Sequence, residues 1–141
     1  VLFRSKIKMA NPFATEAKRL SNVVKQELWS ETGYTRLVVT VNEAAAKSYV
    51  PGTILGKVTA DGKYKIAVQT AVDGSQVADA IVIGEQSIAA TTDTKVLVLI
   101  KGPAIVSKAG LVLDATYNLD AEKAAVYAAL EAKGINCNDA I

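Results

Sequence analysis

Turn-forming residues cut the middle of this chain into pieces too short for anything but β-strands. Pro51-Gly52, Asp61-Gly62, Asp73-Gly74 and the Thr91-Thr92-Asp93 cluster fall between runs of aliphatic and β-branched residues. Glycine accepts positive φ at no steric cost, and an Asp side chain bonds its own backbone two residues on, so these positions reverse the chain. The runs between them read as strands over Arg36–Val41, Thr53–Val58, Lys63–Val68, Ala80–Gly84 and Lys95–Lys101. Shorter ones follow at Ala104–Val106 and Leu111–Leu113, around Gly110. Asp61-Gly62 is the strongest hairpin signal and joins the second run to the third. Asn42–Lys47 is polar and alanine-rich, a loop or a short helical turn.

Helical signals lie only at the two ends. Ala121–Lys133 is predicted as a helix, with Asp120 placed to cap it, Gly134 to end it, and Val126 and Leu130 as its anchor. Near the start, Asn11-Pro12 can open a helix, and Leu20, Val23, Val24 and Leu28 recur at helical spacing. That segment is either an amphipathic helix over about 14–28 or an arm that orders only on a partner; Gly33 breaks it. The fold class expected is α+β, mostly β: a small barrel-like body with a C-terminal helix and an N-terminal arm. The division reads as residues 1–8 a non-native leader, 9–35 the arm or helix, and 36–141 the body. The leader is inferred because Val1-Leu2-Phe3-Arg4-Ser5 looks like a translated sequencing adapter and the only methionine is Met9. Because the strand pattern begins at Arg36, the body is expected to fold without residues 1–33.

The chemistry is bounded by what is missing. The chain has 141 residues, no histidine and one cysteine, Cys137. It therefore lacks the usual general base of Ser and Cys hydrolases, a disulfide framework and any CxxC zinc site. No GxGxxG or GxxxxGK[ST] phosphate loop is present. Ser107 and Lys108 are adjacent and would point to opposite faces of a strand. Asp73, Asp79, Glu85 and Asp93 are scattered along turns without metal-loop spacing. Cys137 reads as a small buried or edge residue. Tyr34, Tyr49, Tyr64, Tyr117 and Tyr127 do not interleave with a basic stripe, so direct nucleic-acid binding is not expected. The candidate run Val96–Ile100 is strand-length, far short of the roughly 20 residues of a membrane helix. Residues 1–36 carry a net +4 and the remainder −2, which points to a basic arm on a slightly acidic body; without Arg4, Lys6 and Lys8 the arm falls to +1. Composition thus points away from enzymes and assigns no cofactor.

One resemblance adds a function. The stretch Pro51-Gly52-Thr53-Ile54-Leu55-Gly56-Lys57-Val58 running on to Gly62-Lys63-Tyr64 resembles the bacteriophage lambda-type head decoration family. The likeness continues through Asp73–Gln76, Ala78, Ala80–Ile83 and Asp93–Gly102, with Asn11-Pro12-Phe13 and Val126–Ala132 at the two ends. It implies a body of the β-tulip type and a structural, non-enzymatic protein. It implies homotrimers on the outer surface of a phage head that cement the major capsid protein against DNA pressure. In that family the segment ahead of the body orders on the shell by adding to a strand, as in β-augmentation. The residues that would touch the shell are then Asn11, Pro12, Phe13, Leu20, Val23, Val24 and Trp29. Partners other than the shell and its own copies, including membranes, are not expected. The competing reading is a small β-barrel module that binds a ligand or nucleic acid.

Overall fold

The computed structural model describes residues 19–139. The strands are β1 (Val24–Glu27), β2 (Arg36–Val41), β3 (Lys47–Tyr49), β4 (Ile54–Lys57), β5 (Tyr64–Ile66), β6 (Ala78–Val82), β7 (Gln86–Ile88), β8 (Thr94–Leu99), β9 (Ala104–Ser107) and β10 (Ile135–Asn138). A helix, α1 (Asp120–Glu131), precedes β10. The architecture is mostly β with a C-terminal helix, as the sequence implies.

Five strands are hydrogen-bonded in the ring order β2-β5-β4-β6-β8. The Asp61-Gly62 hairpin forms as expected, with Leu55 opposite Ile66 and Lys57 opposite Tyr64. Strand β2 is held unevenly. It pairs antiparallel with β8 along its whole length, Arg36 opposite Leu99 through Val41 opposite Thr94. With β5 it pairs only at Val41, opposite Tyr64, so the ring has one thin seam. Two interactions reinforce that seam. The Asn42 N–H donates to the Tyr64 carbonyl at 3.0 Å. One residue on, the buried Glu43 carboxylate accepts the Ile66 N–H at 2.9 Å and a short hydrogen bond from the Tyr49 hydroxyl. A side chain thus continues the ladder where the backbone stops. Burial, with Glu43 beside it, pushes the Tyr49 phenol far above its ordinary range, so it stays a donor.

The ring separates two cores. Inside it Val39, Val41, Leu55, Ala80, Val82, Val96 and Val98 meet Tyr49 and Ile88 from the β3–β7 pair. Outside it Ile54, Ile81 and Leu99 pack with Val126 and Leu130 of α1. A second, three-stranded sheet in the order β1-β9-β10 closes this outer core with Val23, Val106, Ile135 and Cys137. Alternate side chains of β4, β6 and β8 therefore enter different cores, because strand side chains alternate faces.

Strand β10 reaches β9 through a close crossing of two glycines. The Gly102 N–H donates to the Lys133 carbonyl at 2.9 Å, and a Cβ on Gly102 would stand 1.8 Å from the Gly134 carbonyl oxygen. Gly134 itself sits at φ +85, which ends α1 and turns the chain into β10.

Several expectations are corrected. Residues 20–28 are not helical: Leu20–Asn22 form a 3-10 turn, and β1 follows. Strand β1 pairs antiparallel with β9, with Val24 opposite Val106, Gln26 opposite Ile105 and Glu27 opposite Ala104. The helical spacing of Leu20, Val23 and Val24 arises because a turn swings all three onto one core. Residues 14–18 of the expected helix lie outside the described residues. The body also begins earlier than Arg36, because β1 and the fully buried Val23 precede it. Leu111–Leu113 is not a strand; Val112 makes an isolated bridge to Thr53. Leu119, not Asp120, occupies the cap position of α1, and its N–H donates to Glu122 Oε2 at 3.2 Å.

Deleting residues 1–18 should leave a cooperative thermal transition, whereas deleting 1–33 removes β1 and Val23 and should abolish it. Calorimetry of the two truncations decides the point. Separately, Glu43→Ala strands the Tyr49 hydroxyl and the Ile66 N–H in the interior. It should cost roughly 2–3 kcal/mol in urea unfolding, against about 1 kcal/mol for Tyr49→Phe.

Candidate functional site

The residues singled out as one arm are divided by the structure. Asn11, Pro12 and Phe13 lie outside the described residues. Val23 is a core residue, and Leu20 and Val24 are partly buried against the same core. In this fold Val23 offers no surface to a partner. Trp29 is different: it is 57% exposed, in the loop between β1 and β2.

That loop is built to hold Trp29 outward. Its backbone takes φ +49, a conformation that bulky side chains rarely adopt. The strain persists because the surroundings fix it. Thr32 donates both its N–H and its hydroxyl to the Trp29 carbonyl, each at 3.0 Å. Leu28 ties the start of the loop to Pro103 through N–H to carbonyl at 3.0 Å. The indole meets Tyr34 edge to face, with ring centroids 5.4 Å apart. The Lys101 ammonium lies 4.6 Å from the Tyr34 ring centroid. Trp29, Tyr34 and Lys101 form one exposed aromatic and cationic knob. Tyr34 and Lys101 are 67 residues apart, and the β2–β8 register carries them to the same level of the ladder.

Beneath the knob lies an ion pair. The Arg36 Nε is 3.1 Å from Glu27 Oε1, and its Nη2 makes a second, short contact to the same oxygen. The Thr35 hydroxyl donates to Glu27 Oε2. The hydrogen bonds from Arg36 dominate and hold the Glu27 carboxyl below the usual carboxylate range, against the opposing effect of burial. The same pairing raises the Arg36 guanidinium. This cluster joins the end of β1 to the start of β2 and so sets the two ends of the Trp29 loop.

The knob continues into an apolar stripe on the outer face of the β2–β8 ladder. Val38 and Leu97 stand opposite each other there, and both are exposed. Next along, Lys95 donates to the Thr40 hydroxyl at 2.6 Å. No described side chain in this region is arranged for catalysis, and the arrangement suits docking against another surface. Cys137 faces the outer core, where burial pushes its thiol up to about 11, well away from a reactive thiolate.

Comparison with known families then assigns the chain. The family model for the bacteriophage lambda head decoration protein D matches residues 13–135. The chain belongs to that family. No curated protein sequence matches it. Membership implies decoration of a phage capsid and a structural role. The match also takes in β1 and the Trp29 loop, which the strand pattern left outside the body.

The Glu27 cluster makes the loop sensitive to acid. Because folding lowers the Glu27 pKa, its contribution is fully present above the ordinary carboxylate range and fades as pH falls through the depressed folded value. Glu27→Gln should lose roughly 1–3 kcal/mol at pH 7. It should also flatten the decline of stability as pH falls below the ordinary carboxylate range in urea titrations.

Proposed function

We propose that this chain is a cement protein of the outer capsid surface. It sits there as a homotrimer on the major capsid protein and stabilises the mature head against the pressure of packaged DNA. Family membership over residues 13–135 carries this reading. In it, the body is of the β-tulip type, the residues ahead of Arg19 grip the shell, and no nucleic acid is touched directly. Trp29, on the loop between β1 and β2, serves as an anchor of the body itself on the shell. An exposed tryptophan held at positive φ supports that role, since aromatic anchors concentrate binding energy at the centre of interfaces.

Co-sedimentation with expanded capsids of the cognate phage tests this reading, and failure to bind them would reject it. For the anchor, Trp29→Gly keeps the turn, because glycine accepts φ +49 without penalty. Melting of the free protein should therefore change by less than about 1 kcal/mol. Capsid affinity should fall by about 30-fold, the equivalent of about 2 kcal/mol. A Trp29→Gly chain that saturates capsids like wild type would remove Trp29 from the interface.

A further inference from the structure

At the far end of β2 from the Trp29 loop, four loops surround a groove of about 550 Å³. Trp29 precedes β2, whereas the groove residues Asn42 and Glu43 follow it, so the length of a six-residue strand, roughly 20 Å, lies between the two places. The loops are tied to one another. The Thr91 N–H donates to the Glu43 carbonyl at 2.7 Å, and the Asn42 side chain donates to Asp93 Oδ1 at 2.7 Å. The groove walls carry both signs of charge, with Lys47, Lys63 and Lys65 against Glu43, Asp61 and Asp73. Lys63 is held by Asp93 at 3.0 Å, and Lys65 by Asp73 at 2.6 Å. Ala44, Ala45, Val58 and Val68 supply apolar lining. Glu43 is only 3% exposed, yet it lines this groove. Its Oε2 is committed to the Tyr49 hydroxyl and the Ile66 N–H. Among the described residues no hydrogen bond reaches its Oε1, and the Lys47 ammonium stands 4.0 Å from that oxygen, beyond hydrogen-bond length.

We infer that this groove is a binding site for a neutral saccharide, with Glu43, Lys47 and Asp61 as its polar contacts. The gap between Glu43 Oε1 and Lys47 Nζ fits one hydroxyl. An oxygen about 2.8 Å from each atom donates its proton to the carboxylate and accepts one from the ammonium. An amide N–H only donates and a carbonyl only accepts, so a peptide backbone cannot fill both roles with one atom. Both hydrogen bonds are charge-assisted and hence strong. Asp61 offers a second acceptor. Its Oδ1 accepts the Lys63 N–H at 3.0 Å, and the carboxylate forms no salt bridge among the described residues, so Oδ2 is open to a further hydroxyl. The apolar lining suits the C–H face of a sugar ring. The charges select against other ligands. An anion would meet Glu43, Asp61 and Asp73, and a cation at Oε1 would meet Lys47. A purely apolar ligand would strip water from the Glu43 carboxylate without replacing it. The site is independent of the Trp29 anchor, because the two lie at opposite ends of β2.

Amide-resolved NMR titration of the free chain tests the site. The probes are glucose, galactose, mannose and N-acetylglucosamine, with inorganic phosphate and ammonium chloride as charged alternatives. At least one of the sugars should give saturable shifts gathered at Asn42–Lys47, Asp61–Lys65 and Thr91, and neither ion should. Lys47→Ala and Asp61→Ala should each weaken that binding by about tenfold or more. Both side chains reach solvent, so thermal melting by circular dichroism should stay close to wild type. Glu43 is left in place because it also holds the β2–β5 seam. Trp29→Gly, at the other end of β2, should bind the sugar as wild type does. The site is overturned if none of the four sugars moves these amides, if the shifts scatter over the surface, or if both groove variants bind normally. Shifts driven by phosphate or ammonium in place of sugar would make it a charge site and equally overturn the inference. Capsids play no part in the measurement, so none of these outcomes bears on the capsid role.

Discussion

Strands β4 and β6 and the Val98–Leu99 end of β8 are buried on both faces, and this double burial organises the rest of the molecule. One set of their side chains, with Leu55, Val82 and Val98, fills the ring, and the other, with Ile54, Ile81 and Leu99, needs a cover. Helix α1 and the β1-β9-β10 sheet exist to supply that cover. Each completely buried aliphatic side chain contributes about 1.5–3 kcal/mol relative to an exposed one, so an uncovered outer face would leave the ring marginal. The chain ends are therefore structural. Strands β1 and β10 flank β9, one from each end of the described chain.

That requirement shapes the candidate docking surface. Once β1 is committed to the outer sheet, the chain has only residues 28–35 in which to turn from β1 into β2. The turn is closed from below by Glu27, Thr35 and Arg36, and from the side by the Leu28 bond to Pro103. Trp29 is left at positive φ and faces outward. A strained, exposed aromatic on a well-tied loop is pre-organised, and it needs little further ordering when it meets a partner. The described body presents an apolar stripe and an aromatic knob, and such a surface suits docking against another protein.

The seam between β2 and β5 shows how little backbone pairing is needed when side chains assist. A single residue pair and the Asn42 N–H hold the backbones together, and the Glu43 carboxylate adds its bonds to Ile66 and Tyr49. The carboxylate is buried with several donors around it, which compensates for much of its lost hydration.

The sequence by itself determined the punctuation of the fold. Gly and Asp turns marked β2, β4, β5, β6 and β8 to within about two residues, and alanine-rich spacing marked α1, because turn chemistry and helix propensity act over a few neighbouring residues. It also carried the family likeness, through ordered motifs between Pro51 and Gly102. What only the tertiary structure decided were the elements with weak local signals. Strand β1 and the turn before it carry Leu20, Val23 and Val24 at a spacing that fits a helix, and the pairing of β1 with β9, about 80 residues on, settles the choice. Strands β3, β7 and β10 are three or four residues long and are fixed by partners distant in the chain. The same holds for the docking surface. Trp29 and Val23 read alike as candidate contact residues, and only the structure separates them, exposing one and burying the other, since burial depends on which strand arrives alongside. Tyr34 and Lys101 become neighbours only through the β2–β8 register, a long-range pairing that no local pattern encodes.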